Sequence, residues 1–257
     1  MILFCRAAFW IAVYLVLVLL PLFALLLGPR PSGSGFWWDL SLALGFAGTT
    51  MMAVMFFLTA RFQRATAPFG IDLVYYFHRW ISLGAALFVV LHPVLFVVQD
   101  TFMLQMFHPA VMGWELWSGV GSALALAAIM VTSLWRKPLR IHYDAWRIWH
   151  ALLAVIALAL ALAHIAGIGH YSAEPWKKGL WLIIGLSCVA VVVYVRLIKP
   201  VALLKRPWRV ADVIEERGST WTLVLRPERH AGFLFLPGQF ARLTLSLIHI
   251  SEPTRPY

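Results

Sequence analysis

Six stretches of this chain are each long and apolar enough to cross a bilayer, and that limits the possible fold more than any motif does. A membrane interior offers the backbone no water. Every peptide N–H and C=O inside it must be satisfied within its own segment or in a closed barrel. Runs of about twenty apolar residues solve this as helices, because a rise of about 1.5 Å per residue spans a hydrocarbon core about 30 Å thick. The runs lie at about 4–27, 37–60, 73–98, 116–135, 146–167 and 179–198. The first is too long and too apolar for a cleaved leader and reads as a span. Composition agrees, with 62% of the 257 residues hydrophobic and a mean hydropathy of +0.83. The expected fold class is an all-α, six-helix membrane bundle, followed by a short soluble tail.

The net charge of +10 is not scattered. With six spans threaded, one side receives Arg6, Arg61, Arg64, Arg136, Lys137, Arg140, Arg147, Arg196, Lys199, Lys205, Arg206 and Arg209. The other side receives Arg30, Lys177 and Lys178. The positive-inside bias makes the rich side cytoplasmic, with the C-terminal segment on it. The charge therefore reports topology, and no nucleic-acid partner is expected. Thirteen Trp suit interfacial belts and cofactor packing. Cys5 and Cys188 form no CxxC, which argues against a disulfide scaffold, an iron–sulfur cluster and a zinc site.

The third and fifth spans repeat one spacing. YYFHRWISLGAALFVVLHPVLFVV carries His78 and His92, and WRIWHALLAVIALALALAHIAG carries His150 and His164, each pair fourteen residues apart. On a helix that separation is about 1400°, roughly 40° short of four turns, with a rise of about 21 Å. Each pair thus lies on one helix face at two depths. The topology taken from charge alone puts His78 and His150 near the cytoplasmic surface, and His92 and His164 near the outer one. Facing imidazoles are the axial ligand set of a b-type haem, so two haems stacked across the membrane are expected. A bare iron or copper ion fits less well, because helical metal motifs place their ligands one turn apart. Packed histidines and a proton relay in a transporter remain as other readings.

Arg79 and Arg147 flank the inner pair and suit the haem carboxylates, though cytoplasmic anchoring explains them equally. Gly45 and Gly48 allow close approach of a helix or cofactor. Pro93 frees a backbone carbonyl and can kink its helix. His108, His142, His170 and His230 fall in loops or the tail, with His170 the one alternative to His164.

Beyond Lys205 the character changes. WRVADVIEERGSTWTLVLRPE reads as strand, turn and strand, with Arg217, Gly218 and Ser219 as the turn. PGQFARLTL reads as a turn entering a third strand, the start of a small antiparallel barrel that about forty residues cannot complete. The expected organisation is a membrane domain over 1–200, the opening of a barrel over 201–245, and a tail over 246–257.

The paired-histidine spans, the RKPLRIHYDAWRIWH stretch and PGQF together resemble the ferric reductase and NADPH oxidase superfamily. The likeness is greatest to bacterial predicted ferric reductases that carry a ferredoxin-reductase-type flavin domain, and it covers about residues 1–245. It implies that His78 and His150 ligate an inner haem b, and His92 and His164 an outer one. It implies a cytoplasmic FAD barrel whose edge is marked by Pro237, Gly238, Gln239 and Phe240, with an NAD(P)H domain beyond. Electrons would pass from NAD(P)H through FAD and both haems to an acceptor outside a bacterial inner membrane. A ferric chelate fits best, with dioxygen reduced to superoxide as the runner-up. The haem-containing membrane subunit of a methionine sulfoxide reductase shares the six-span fold but lacks the PGQF extension. The chain departs from the resemblance at its end. The HPF-S/T flavin motif and the Gly-rich nucleotide loop do not follow, and LSLIHISEPTRPY resembles a translated sequencing adapter. Native sequence is therefore expected to stop near Leu245. This polypeptide alone is expected to hold no stable FAD and to show no NAD(P)H turnover.

Overall fold

The computed structural model describes residues 2–29, 31–60 and 70–232. Its six long helices are α1 (Ile2–Leu25), α2 (Phe36–Thr59), α3 (Gly70–Gln99), α4 (Trp114–Leu134), α5 (Tyr143–Ile168) and α6 (Pro175–Val193). All six are long and apolar enough to cross a membrane, and the chain is a multi-pass membrane protein embedded in the lipid bilayer. A one-turn helix, Met103–Met106, lies between α3 and α4, and a π-helical turn, Tyr194–Ile198, continues α6.

Three helices begin three or four residues before the apolar runs do. Asp72 and Asp144 occupy the first turns of α3 and α5, where a carboxylate meets the positive end of the helix. Pro175 opens α6, where its missing N–H costs nothing. Hydrophobicity alone stops at these polar residues, whereas helix-end chemistry includes them. α5 ends at Gly169 in a left-handed conformation, φ 65°, as a helix C-terminus favours. α3 continues through Pro93 as one helix.

The bundle is built from two hairpins. α2 packs along α3, α4 packs along α5, and α6 fits against α2 and α5 with α1 on α2. Gly48 lets the first hairpin close, since a Cβ there would meet the Val89 side chain at 2.9 Å and the Ala85 carbonyl at 3.2 Å. In the second hairpin Ser122 Oγ donates to Ala157 O at 2.8 Å. Small apolar groups knit the helices together: Ala53, Leu158 and Cys188 form one cluster, and Ala125, Ile129 and Ala157 another. Cys188 is buried there, whereas Cys5 is exposed; both are free thiols.

Lys177 ties α1 to α6. It is fully buried, and its Nζ donates to Leu25 O at 2.8 Å and Pro29 O at 3.2 Å. These carbonyls lie at the negative end of α1, where a cation is stabilising. Lys177→Met leaves them without their donor. The expected cost is about 1–3 kcal/mol, read as a lower melting temperature in detergent and earlier proteolysis of α1. An unchanged melt would show that the latch contributes nothing.

A second compact unit begins at Lys199. It contains a short helix (Lys199–Leu204) and an antiparallel pair, β1 (Trp208–Glu216) and β2 (Thr220–Pro227), with a bulge between Val210 and Asp212. The turn falls where the sequence placed it, with Gly218 and Ser219 at φ 78° and 57°. Both strands are largely exposed. The expected third strand, with Pro237, Gly238, Gln239 and Phe240, lies outside the described residues, as do Arg61, Arg64 and 246–257.

Candidate functional site

α3 and α5 stand apart, and histidine rings face each other between them. His78 faces His150 with ring centres 6.2 Å apart and planes at 67°. His92 faces His164 with ring centres 6.2 Å apart and planes at 74°. All four rings are half-buried. His170, the alternative to His164, instead lies beside Tyr171, with its Nε2 buried and without a hydrogen-bond partner among the described residues.

The outer pair is held from behind in one way, used twice. His92 Nδ1 lies 2.8 Å from Ser41 O on α2, and His164 Nδ1 lies 2.8 Å from Glu115 O on α4. One turn further along each supporting helix comes a glycine, Gly45 and Gly119 respectively. A Cβ at Gly45 would meet the His92 ring at 3.0–3.2 Å, and one at Gly119 the His164 ring at 2.8–3.1 Å. Each outer imidazole is thus laid flat against bare helix backbone, and its Nδ1–H donates to a main-chain carbonyl. Ser41 also donates through Oγ to the carbonyl of His92, which fixes α3 against α2 at this level.

The inner pair is held differently. His150 Nδ1 lies 3.2 Å from Ser133 Oγ, and Trp146 Nε1–H donates to the same oxygen at 3.3 Å. The Trp146 ring packs 5.0 Å from the His150 ring. His78 Nδ1 is buried with no hydrogen-bond partner among the described residues. Arg147 lies one turn from His150, and its guanidinium reaches Asp144 at 3.8 Å. Arg79 follows His78 and is exposed.

The four histidines and Gly45 stand out in the sequence, whereas Ser41, Glu115, Gly119, Ser133 and Trp146 do not. Two of these act through backbone carbonyls, which carry no residue signature. Gly119 did have a signal, as a second glycine among small residues in a membrane span (SGVGS), but nothing assigned it a face.

The family model for ferric reductase-like transmembrane components matches residues 44–162, a span that includes His78, His92 and His150 and stops just before His164. An uncharacterised protein of Archaeoglobus fulgidus is 30% identical over 139 residues, which is 50% of this chain and 74% of the relative. No solved structure matches. The matched span runs from the middle of α2 into α5, and it takes in the close approach at Gly48 and the Ser122–Ala157 bond that close the two hairpins. By this match and this architecture the chain belongs to the ferric reductase-like transmembrane components of the ferric reductase and NADPH oxidase superfamily, oxidoreductase domains that carry electrons across the membrane.

Proposed function

We propose that His78 with His150, and His92 with His164, are the axial ligands of two b-type haems, through which this protein passes electrons outward to an external acceptor. The ring separation carries this reading. An imidazole nitrogen sits about 2 Å from a bound metal and its ring centre about 3 Å, so rings on opposite sides of one ion are about 6 Å apart. Both pairs have 6.2 Å.

The hydrogen bonding supports it. In three of the four rings Nδ1 is engaged, which leaves Nε2 as the metal-facing atom in the neutral tautomer. Among the described residues no three His, Cys, Asp or Glu side chains converge to hold a bare ion. Two imidazoles suffice where a porphyrin supplies the other donors. Bound haem contributes one-electron chemistry at iron. The chain contributes the ligands, two sites about 21 Å apart along the helices, and an apolar surround that tunes them. Arg79 and Arg147 would hold the carboxylates of the inner group, Arg147 in place of its contact with Asp144.

Electrons would enter from a cytoplasmic FAD and NAD(P)H module, with the C-terminal side of the chain on the cytoplasmic face of a bacterial inner membrane. In this reading 1–200 is the haem domain and 201–245 the opening of the flavin barrel, with Pro237, Gly238, Gln239 and Phe240 at its edge. The described part of 201–245 contains one largely exposed hairpin. A ferric chelate is the acceptor the family favours. A reduced-minus-oxidised spectrum of purified, haem-supplemented protein should be b-type, with two haems per chain. Absence of a Soret band would overturn the reading and leave the histidines to proton transfer or packing.

A further inference from the structure

We infer that Ser133 is the positioning residue of the inner site, fixed in turn by Trp146, and that this side-chain relay sets the inner potential separately from the outer one. The inference rests on the haem reading above. Its basis is the contrast between the two ends of the bundle. His92 and His164 each have a main-chain carbonyl, of Ser41 and Glu115, 2.8 Å from Nδ1, an acceptor that no side-chain change removes; Ser41 Oγ adds only a longer contact to His92 Nδ1 at 3.3 Å. At the inner end His78 Nδ1 has no hydrogen-bond partner among the described residues. His150 is therefore the one inner ring with an observed Nδ1 contact, and that contact is a hydroxyl.

The direction of each bond follows from which atoms carry hydrogen. Indole Nε1–H only donates, so Ser133 Oγ accepts from Trp146. Ligation through Nε2 leaves the proton on Nδ1, so His150 also donates to Oγ. Ser133 Oγ thus accepts twice. A helical serine left alone turns its hydroxyl back to a carbonyl of the preceding turn, and the Trp146 bond opposes that rotation. Trp146 is itself held between rings, 5.6 Å from Tyr143 on one side and 5.0 Å from His150 on the other. Tyr143 lies beneath the Arg136 guanidinium at 5.6 Å. The relay therefore runs from the α4–α5 loop to His150.

An Nδ1–H bond to an oxygen acceptor makes the imidazole a stronger donor through Nε2. A stronger donor favours the ferric over the ferrous state, so the bond lowers the one-electron potential. The Nδ1 proton stays in place, and no bond at the ligand breaks as the electron arrives or leaves. Ser133→Ala removes the acceptor. The ferric-to-ferrous preference of the inner site should fall about tenfold, the equivalent of one hydrogen bond lost from the ferric state. For one electron that is about 59 mV upward.

The test is a redox titration of each haem in detergent, with low-spin electron paramagnetic resonance of the ferric form. In Ser133→Ala one of two midpoints should rise while the other stays. Ser133→Thr, which keeps the hydroxyl, should restore it. Trp146→Phe should move the same midpoint in the same direction by less. Two unmoved midpoints in Ser133→Ala would overturn the inference while leaving the haem reading intact. A wild-type chain without haem would overturn the haem reading itself. If Ser133→Ala does not accumulate, Trp146→Phe decides alone: a shift of one midpoint supports the relay, and no shift refutes it.

Discussion

Changing His164 to alanine is expected to take the protein from two haems per chain to one, with the inner low-spin spectrum retained and acceptor reduction lost. The ring faces His92 across 6.2 Å and has no evident substitute, since His170 is placed beside Tyr171. A haem iron left with one axial imidazole loses the bis-histidine spectrum and binds more weakly. His92→Ala should give the same phenotype, because the two rings serve one site. His78→Ala or His150→Ala should remove the inner site instead. Haem extracted per polypeptide and the reduced α-band read these outcomes. The retained haem also reports that the bundle has folded. His108→Ala, in the loop before α4, is the control that should keep both. Two low-spin haems in His164→Ala would sink the assignment.

Gly119→Ala is expected to damage the outer site nearly as much, although it adds a single methyl group far in the sequence from all four paired histidines. The new Cβ would sit 2.8 Å from His164 Nδ1 and 3.0 Å from Cε1, closer than such atoms approach. The ring cannot simply swing away, because its Nδ1–H is committed to Glu115 O on the same helix. Relief must come from moving the ring or prising α4 from α5, and either misdirects Nε2. Loss of such support typically costs about 10–100-fold in metal affinity. Gly45→Ala makes the corresponding contact with His92 at 3.0 Å and should cost less. Haem titration of the two variants side by side checks the order. Equal outer-haem affinity in wild type and Gly119→Ala would show that the glycine merely fills space.

These two expectations share a cause. The hairpins α2–α3 and α4–α5 carry the same outer device, a carbonyl followed one turn later by a glycine, each clamping one imidazole. The likeness ends at the inner level. Ser133 holds His150 there, while on the other hairpin Thr59 spends its hydroxyl on Met55 O at 2.8 Å within its own helix. Each outer ring rests on a main-chain carbonyl, whereas His150 rests on the Ser133 hydroxyl, which leaves the inner site as the adjustable one.

Much of this was legible in the chain before folding, for a definite reason. A bilayer removes water as a partner for the backbone, so long apolar runs must be helices, and a fourteen-residue spacing on a helix must be one face. Charge in the loops then orders the spans. The pairing of His78 with His150 and of His92 with His164 follows from those two rules without any contact being known. Helix ends were less legible, because Asp72, Asp144 and Pro175 are polar or helix-breaking by composition yet favourable in a first turn. What only the tertiary structure decided is how each imidazole is held. Glu115 acts through a carbonyl that every residue possesses, Ser41 through its carbonyl and its hydroxyl together, Gly119 through the side chain it lacks, and Lys177 through its reach from α6 to the end of α1. Such roles depend on which helix lies opposite and at what distance. That is a property of packing between segments far apart in the chain, and no local pattern of residues encodes it.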